Sequence, residues 1–197
     1  MLDKTIPYHG IILCRKAGTP IPKPALPKGY SFVSFFSGDE RAWAEIETSV
    51  GEFENIGDAL ACFQENYLLY PAEVKRRTIF IQSENGEKMA TLTNWWGYTE
   101  GRRDPWIHWV AVKPGYQGLG LGKALVLEGM YRMLQLEGNR DIYLPTQTWS
   151  YKAIGIYLKA GFDFINQDKQ VMDGFINEYK DAMCVLRTKM NVAPNFQ

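Results

Sequence analysis

The chain is poor in the residues that most often carry metal and acid–base chemistry. Of its 197 residues only two are histidine, His9 and His108, and only three are cysteine. A histidine-rich metal site is thereby excluded. Cys14, Cys62 and Cys184 stand far apart with no Cys-x-x-Cys pair, so neither a disulfide framework nor a structural zinc site is expected, and the thiols read as reduced and mostly buried. Net charge is also missing, since 22 Lys and Arg balance 22 Asp and Glu. No overall field draws the chain to phosphate backbones or an anionic surface, so neither nucleic acid nor a membrane is an expected partner. No apolar run approaches the ~20 residues of a membrane span, and Met1-Leu2-Asp3-Lys4 does not open a basic-then-apolar leader. The chain therefore reads as cytoplasmic, with no metal.

What is present suffices for one core, at 46% hydrophobic residues. Five prolines (Pro7, Pro20, Pro22, Pro24, Pro27) crowd the first 27 positions and oppose helix. Residues 1–29 are expected as an extended lead-in, with Ile11-Ile12-Leu13 able to form a short strand, and 30–197 as the domain. Tyr30 to Phe36 is strand-like, and Asp39 precedes Trp43, Ile46 and Val50 at helical spacing. Asp58 is read as the cap of a second helix through Leu60, Phe63, Tyr67 and Leu68. Asn85-Gly86 between Thr78–Gln82 and Lys88–Trp96 predicts a hairpin.

Trp106 to Val112 reads as a buried strand running into a glycine-rich turn and a long helix that carries Val126, Met130, Met133 and Leu134 on one face and ends at Gly138. Ile142 to Thr148 is the next strand. Ser150 caps a helix with Ala153, Ile154, Tyr157 and Leu158 inward, closed by Gly161, and Ala182 to Thr188 is expected as a final strand. Strand–helix–strand crossovers favour parallel neighbours, so the fold class is α/β, a mixed sheet with helices on its faces.

The turn Gln117-Gly118-Leu119-Gly120-Leu121-Gly122-Lys123 opens a helix, where free N–H groups and the helix dipole make an anion site. A tight turn with glycines only for packing is the alternative. Two familiar phosphate loops fail by register. A Walker loop needs glycine where Gln117 stands and a hydroxyl where Ala124 stands, while a dinucleotide fingerprint needs glycine at Lys123 or Leu125.

Gln-x-x-Gly-x-Gly does fit, and it resembles the acyl-CoA pyrophosphate loop of the GNAT superfamily of N-acetyltransferases. Val112-Lys113-Pro114 before the loop and Ser150-x-x-Ala153-x-x-x-Tyr157-x-x-x-Gly161-Phe162 after it match further family motifs over roughly Tyr30 to Thr188, with serine in place of the usual asparagine. The resemblance implies a GNAT fold with splayed fourth and fifth strands, and Pro145, which cannot donate to a ladder, agrees with the splay. It implies acetyl-CoA as cosubstrate, with pyrophosphate on the backbone of Gln117, Gly118, Leu119, Gly120, Leu121, Gly122 and Lys123. The pantetheine would lie along Val110, Ala111 and Val112, and Ser150 and Ala153 would face it.

By the same resemblance Tyr157 protonates the departing thiolate, a backbone N–H near Val112 polarises the thioester, and His108 is a candidate base. Period-2 alternation sets Trp106, His108 and Val110 on one face. Trp106 stands where relatives carry a glutamate, and Glu52, Glu54 and Glu100 are alternative carboxylates. The acceptor pocket would form from Val50 to Gly57 and Gly97 to Pro105, where Glu52, Phe53 and Glu54 suit an ammonium and Arg102 and Arg103 a carboxylate. The expected activity is acetyl transfer to a primary amine of a small molecule or amino-acid-like acceptor. The alternatives are a CoA-binding sensor without turnover, or another acyl group or acceptor atom. Trp95-Trp96 and the proline-rich start offer apolar surface for a homodimer.

Overall fold

The computed structural model describes residues 2–190; the last seven positions of the expected 30–197 domain lie outside the described residues. The strands are β1 (Gly10–Arg15), β2 (Tyr30–Ser34), β3 (Thr78–Ser83), β4 (Lys88–Thr99), β5 (Arg102–Val112), β6 (Ile142–Gln147) and β7 (Asp163–Phe164), then a hairpin of β8 (Gln170–Met172) and β9 (Phe175–Asn177). The helices are α1 (Glu40–Val50), α2 (Ile56–Asn66), α3 (Pro71–Arg77), α4 (Leu121–Glu137), α5 (Tyr151–Lys159) and α6 (Tyr179–Met190).

Seven strands form one sheet in the order β2-β3-β4-β5-β6-β1-β7. All pairings in it are antiparallel except β5 with β6. One face packs on α4, α5 and α6 through Leu125, Met130, Ile154 and Leu186. The other packs on α1, α2 and α3 through Trp43, Ile46, Phe63 and Val74, with Met172 of the β8–β9 hairpin over Ile12 and Tyr143.

Where local signals are strong the elements follow them. The Asn85-Gly86 turn joins β3 to β4, with Gly86 at φ 83°. Gly161, at φ 90°, ends α5, and the Phe162 N–H reaches back to the Tyr157 carbonyl at 3.1 Å. Some expectations change. Asn55, not Asp58, caps α2, its side chain accepting from the Asp58 N–H at 3.0 Å. Ser150 stands at the N-cap of α5, but its hydroxyl makes no capping bond. Ala182 to Thr188, expected as a strand, lies within α6, because Ala182, Met183 and Leu186 repeat at helical spacing and bury together. Of the thiols Cys14 is buried, Cys62 half-buried and Cys184 exposed.

The largest departure is at the start. Ile11, Ile12 and Leu13 have no exposed surface, and β1 lies inside the sheet between β6 and β7. Residues before Gly29 therefore build the same sheet as those after it. The short β7 leaves part of β1 without a strand neighbour, and Asn177 replaces one. Its Oδ1 accepts from the Ile12 N–H at 3.0 Å, and its Nδ2 donates to the Ile165 and Gln167 carbonyls, each at 2.8 Å. Fully buried, it satisfies three main-chain groups. Asn177→Ala should lower unfolding stability by about 1–3 kcal/mol, the cost of orphaning a buried polar group, read as a shift in the urea midpoint.

Candidate functional site

The parallel pairing of β5 with β6 consists of one register pair, Trp106 with Tyr143. Beyond it the strands part, and backbone direction gives the reason. The Ile12 N–H goes to Asn177 and its carbonyl accepts from Ile165, so both groups point away from β6. Pro145, paired with Ile12, is therefore at a non-hydrogen-bonded position towards β1, and its missing N–H falls on the β5 side.

On β5 the exposed backbone is also identifiable. The Lys113 N–H turns to the Met89 carbonyl on β4, while the Val112 carbonyl faces the other way and accepts from Gln117 Nε2 at 2.9 Å. By alternation Val110 and Val112 face the gap, and Ala111 pairs with Thr91 of β4.

The gap continues into a cleft of about 450 Å³. Val110, Ala111, Val112, Gln117, Gly118, Gly120, Leu121, Gly122, Lys123, Ser150, Ala153 and Tyr157 all line it; Leu119, 47% exposed, does not. Gly118 and Gly120 have φ of 83° and 82°, with nothing within 4 Å of where a Cβ would stand, so conformation and open space, not packing, require glycine there. Gly120 is the N-cap of α4, whose first turn carries no acidic residue. The unpaired N–H groups of that turn face the cleft, and Lys123, Lys152 and Lys159 line it as well. Such a turn has the chemistry to take a phosphate, and an apolar wall of Val110, Val112, Val126 and Ile156 continues from it. These residues fit an acyl-CoA.

Tyr157 is 4% exposed, and burial, with the charges of Glu47 and Glu52, pushes its phenol far above the ordinary range. It stays protonated at every working pH. Glu52 also lines the cleft, held by Gln147 Nε2 at 3.2 Å; burial raises its carboxyl, and Gln147 and Lys4 oppose that rise. Glu47, on the buried stripe of α1 between Trp43 and Val50, was not anticipated. A carboxylate four residues after one apolar anchor and three before the next was the available signal.

His108 is absent from the cleft wall. A bulge at Trp109, φ 52°, sets two β5 residues against Leu92 and breaks the alternation, so Val110 packs on the α4 side with Val112 while Trp109 packs with Trp43 and Phe53 on the α1 side. The shared face expected for Trp106, His108 and Val110 is thus lost. Trp109 Nε1 donates to the Tyr67 hydroxyl at 2.7 Å, and with no other acceptor among the described residues that hydroxyl donates to His108 Nδ1 at 2.9 Å. The ring proton is therefore assigned to Nε2, leaving no free lone pair, and burial lowers the imidazole to about 4. This geometry speaks against His108 as the group that meets an acceptor.

Arg102 and Arg103 are likewise committed elsewhere: Arg102 bonds Asp104 at 2.8 Å, and Arg103 bonds Glu137 at 2.8 Å and lies 4.7 Å from the Trp96 ring. Neither lines the cleft. Glu54 and Glu100 are exposed. Trp95 is 6% exposed and stacks on Trp96 at 4.2 Å, while Arg77 and Arg103 cover Trp96, so this pair is no apolar docking patch. Outside the cleft, His9, Glu178 and Asp181 bring ligand atoms within 4.8 Å of one another, with Lys169 Nζ already 3.4 Å and 3.3 Å from the two carboxylates. Among the described residues no helix is long and apolar enough to cross a membrane.

Residues 41–162 match the model of the acetyltransferase (GNAT) family, and the chain belongs to that family. Mycothiol acetyltransferase of Saccharomonospora viridis is 29% identical over 166 residues, covering 78% of this chain and 52% of that protein. Mycothiol acetyltransferase of Frankia casuarinae is 29% identical over 162 residues, covering 74% and 45%. This chain thus spans about half the length of the curated relatives it matches. Among solved structures, a GCN5-related N-acetyltransferase from Sphaerobacter thermophilus superposes with a TM-score of 0.63 at 22% identity, covering 79% of this chain and 48% of that one.

The His108 assignment has a direct check. Imidazole NMR should show a neutral ring with its proton on Nε2, titrating near pH 4. Because the folded ring stays neutral where the unfolded one, with an ordinary value of 6.5, is charged, the unfolded state binds more protons between those values. Stability should fall as pH drops from 6.5 towards 4, and His108→Gln should flatten that loss.

Proposed function

We propose that this protein is an acetyl-CoA-dependent N-acetyltransferase that moves an acetyl group to a primary amine of a small molecule or amino-acid-like acceptor by direct attack in a ternary complex. The observation that carries the reading is one cleft joining the glycine-turned start of α4 to Tyr157 along the gap-facing backbone of Val110 and Val112, where only the Val112 carbonyl is taken, by Gln117 Nε2, among the described residues. Family membership and relatives named as mycothiol acetyltransferases support acetyl transfer to a small acceptor. The neutral overall charge disfavours a strongly basic protein tail.

In this reading the backbone from Gln117 to Lys123 and the three lysines hold the pyrophosphate and its neighbouring phosphate. Val110 and Val112 pair with the pantetheine as a missing β6 would, with Ser150 and Ala153 opposite. The Val112 N–H polarises the thioester carbonyl. The amine nitrogen forms the new C–N bond, the C–S bond breaks with its electron pair on sulfur, Tyr157 supplies the thiol proton, and the N–H proton that nitrogen sheds in becoming an amide restores the phenol. Burial keeps the phenol protonated until the C–S bond breaks, so its proton is in place when the thiolate forms. His108 holds Tyr67 and Trp109 behind the wall.

Calorimetry should show acetyl-CoA and CoA binding, with no binding of ATP or NAD. Tyr157→Phe should keep the acetyl-CoA affinity and lose roughly 10²–10⁴-fold in kcat, followed by thiol release over an amine panel. A wild type that binds CoA but transfers to no amine would instead identify a non-catalytic sensor.

A further inference from the structure

At neutral pH an acceptor amine arrives as an ammonium and must lose a proton before it attacks. His108 has no free lone pair and no place on the cleft wall, and Tyr157 holds a proton to give, not a site to take one. Two glutamates remain. Glu47 is 1% exposed, and among the described residues its Oε1 has no hydrogen-bond partner. Such an oxygen is costly to leave charged. Glu52 follows one turn on, past Gly51 in the left-handed region at φ 93°, and its N–H donates to the Glu47 carbonyl at 3.2 Å. That turn fastens the two residues together and sets Glu52 on the wall that also carries Tyr157 and Val112.

Resting on the acetyltransferase reading, we propose that Glu52 is the catalytic residue that receives the acceptor ammonium and takes its proton. Glu47 is the positioning residue behind it, a buried carboxyl fastened to Glu52 through the bond from the Glu52 N–H to the Glu47 carbonyl. The step balances: an N–H bond of the ammonium breaks, its electron pair stays on nitrogen for attack, and the proton forms an O–H bond on Glu52. The proton leaves to water after transfer.

The surroundings agree with this division. Glu52 faces Glu47 from α1, Lys4 and Tyr8 from the first segment, Gln147 from β6 and Tyr157 from α5. Glu47 faces Glu52, Tyr157, and Cys62 and Tyr67 from α2 and its end. Burial first, then the Glu52 charge, raises Glu47 well above the carboxylate range, so Glu52 ionises before Glu47.

The test uses the full chain, acetyl-CoA, and the best amine of the panel. Glu52→Gln should keep acetyl-CoA affinity by calorimetry and lose at least roughly 100-fold in kcat/KM, and the acidic limb of the pH profile, which rises as Glu52 ionises, should vanish with it. Glu52→Asp should recover part of the rate. Carbon-13 carboxyl NMR should find one glutamate titrating well above the ordinary carboxylate range, absent in Glu47→Gln and titrating at lower pH in Glu52→Gln, where the neighbouring charge is gone. An active wild type whose Glu52→Gln variant keeps its rate and acidic limb overturns the assignment of Glu52. A Glu47 titration unmoved by Glu52→Gln overturns the pair. A wild type inert towards every amine overturns the acetyltransferase reading and this assignment with it.

Discussion

The site depends on a strand pairing that stops. A parallel neighbour of β5 would normally take up its backbone groups along its whole length, and here β6 does so at one residue pair before the two diverge. Pro145 has no donor to offer on that side, and β1 draws β6 outward through six antiparallel register pairs. The gap-facing backbone of Val110 and Val112 has no partner strand, with Gln117 Nε2 covering only the Val112 carbonyl, which makes the gap a place where an extended ligand can substitute for a strand. The helices α4 and α5 flank this gap, and so a phosphate cradle and an acid-bearing tyrosine meet across it.

Around the gap, charge and burial divide the labour. The entrance holds the lysines and free N–H groups, where an anion keeps partial solvation. Further along the wall lie the Tyr157 phenol and the Glu52 carboxyl, with Glu47 buried off the wall, all in surroundings that penalise ions. Low dielectric strengthens each interaction there and holds Tyr157 protonated. The Tyr67–His108–Trp109 bonds form a rigid backing to this wall, with a neutral imidazole as acceptor.

Motifs with local causes were readable. The glycine turn, the hairpin at Asn85-Gly86, the Gly161 helix stop and the apolar stripe of α1 each reflect conformational or periodic constraints within a few residues, and the structure honours them. Features that depend on distant partners were not. Nothing near Ile11-Ile12-Leu13 says that β6 and Asn177 will enclose it, and the apolar spacing of Ala182 to Leu186 serves a strand or a helix until the packing against α5 and β1 is known. The bulge at Trp109 is another case. One extra residue moves Val110 to the opposite face from His108, and no local composition announces it.

The sequence by itself determined the class of fold, the anion-binding turn and the tyrosine, because each is encoded by residues adjacent in the chain or spaced along one helix. Only the tertiary structure decided which polar groups face the cleft. Glu47, Glu52 and His108 are ordinary residues in one dimension. Their protonation and availability come from what the fold buries, orients and leaves unpaired around them: desolvation raises Glu47 well above the carboxylate range, Gly51 turns Glu52 to the wall, and the Tyr67 hydroxyl occupies His108.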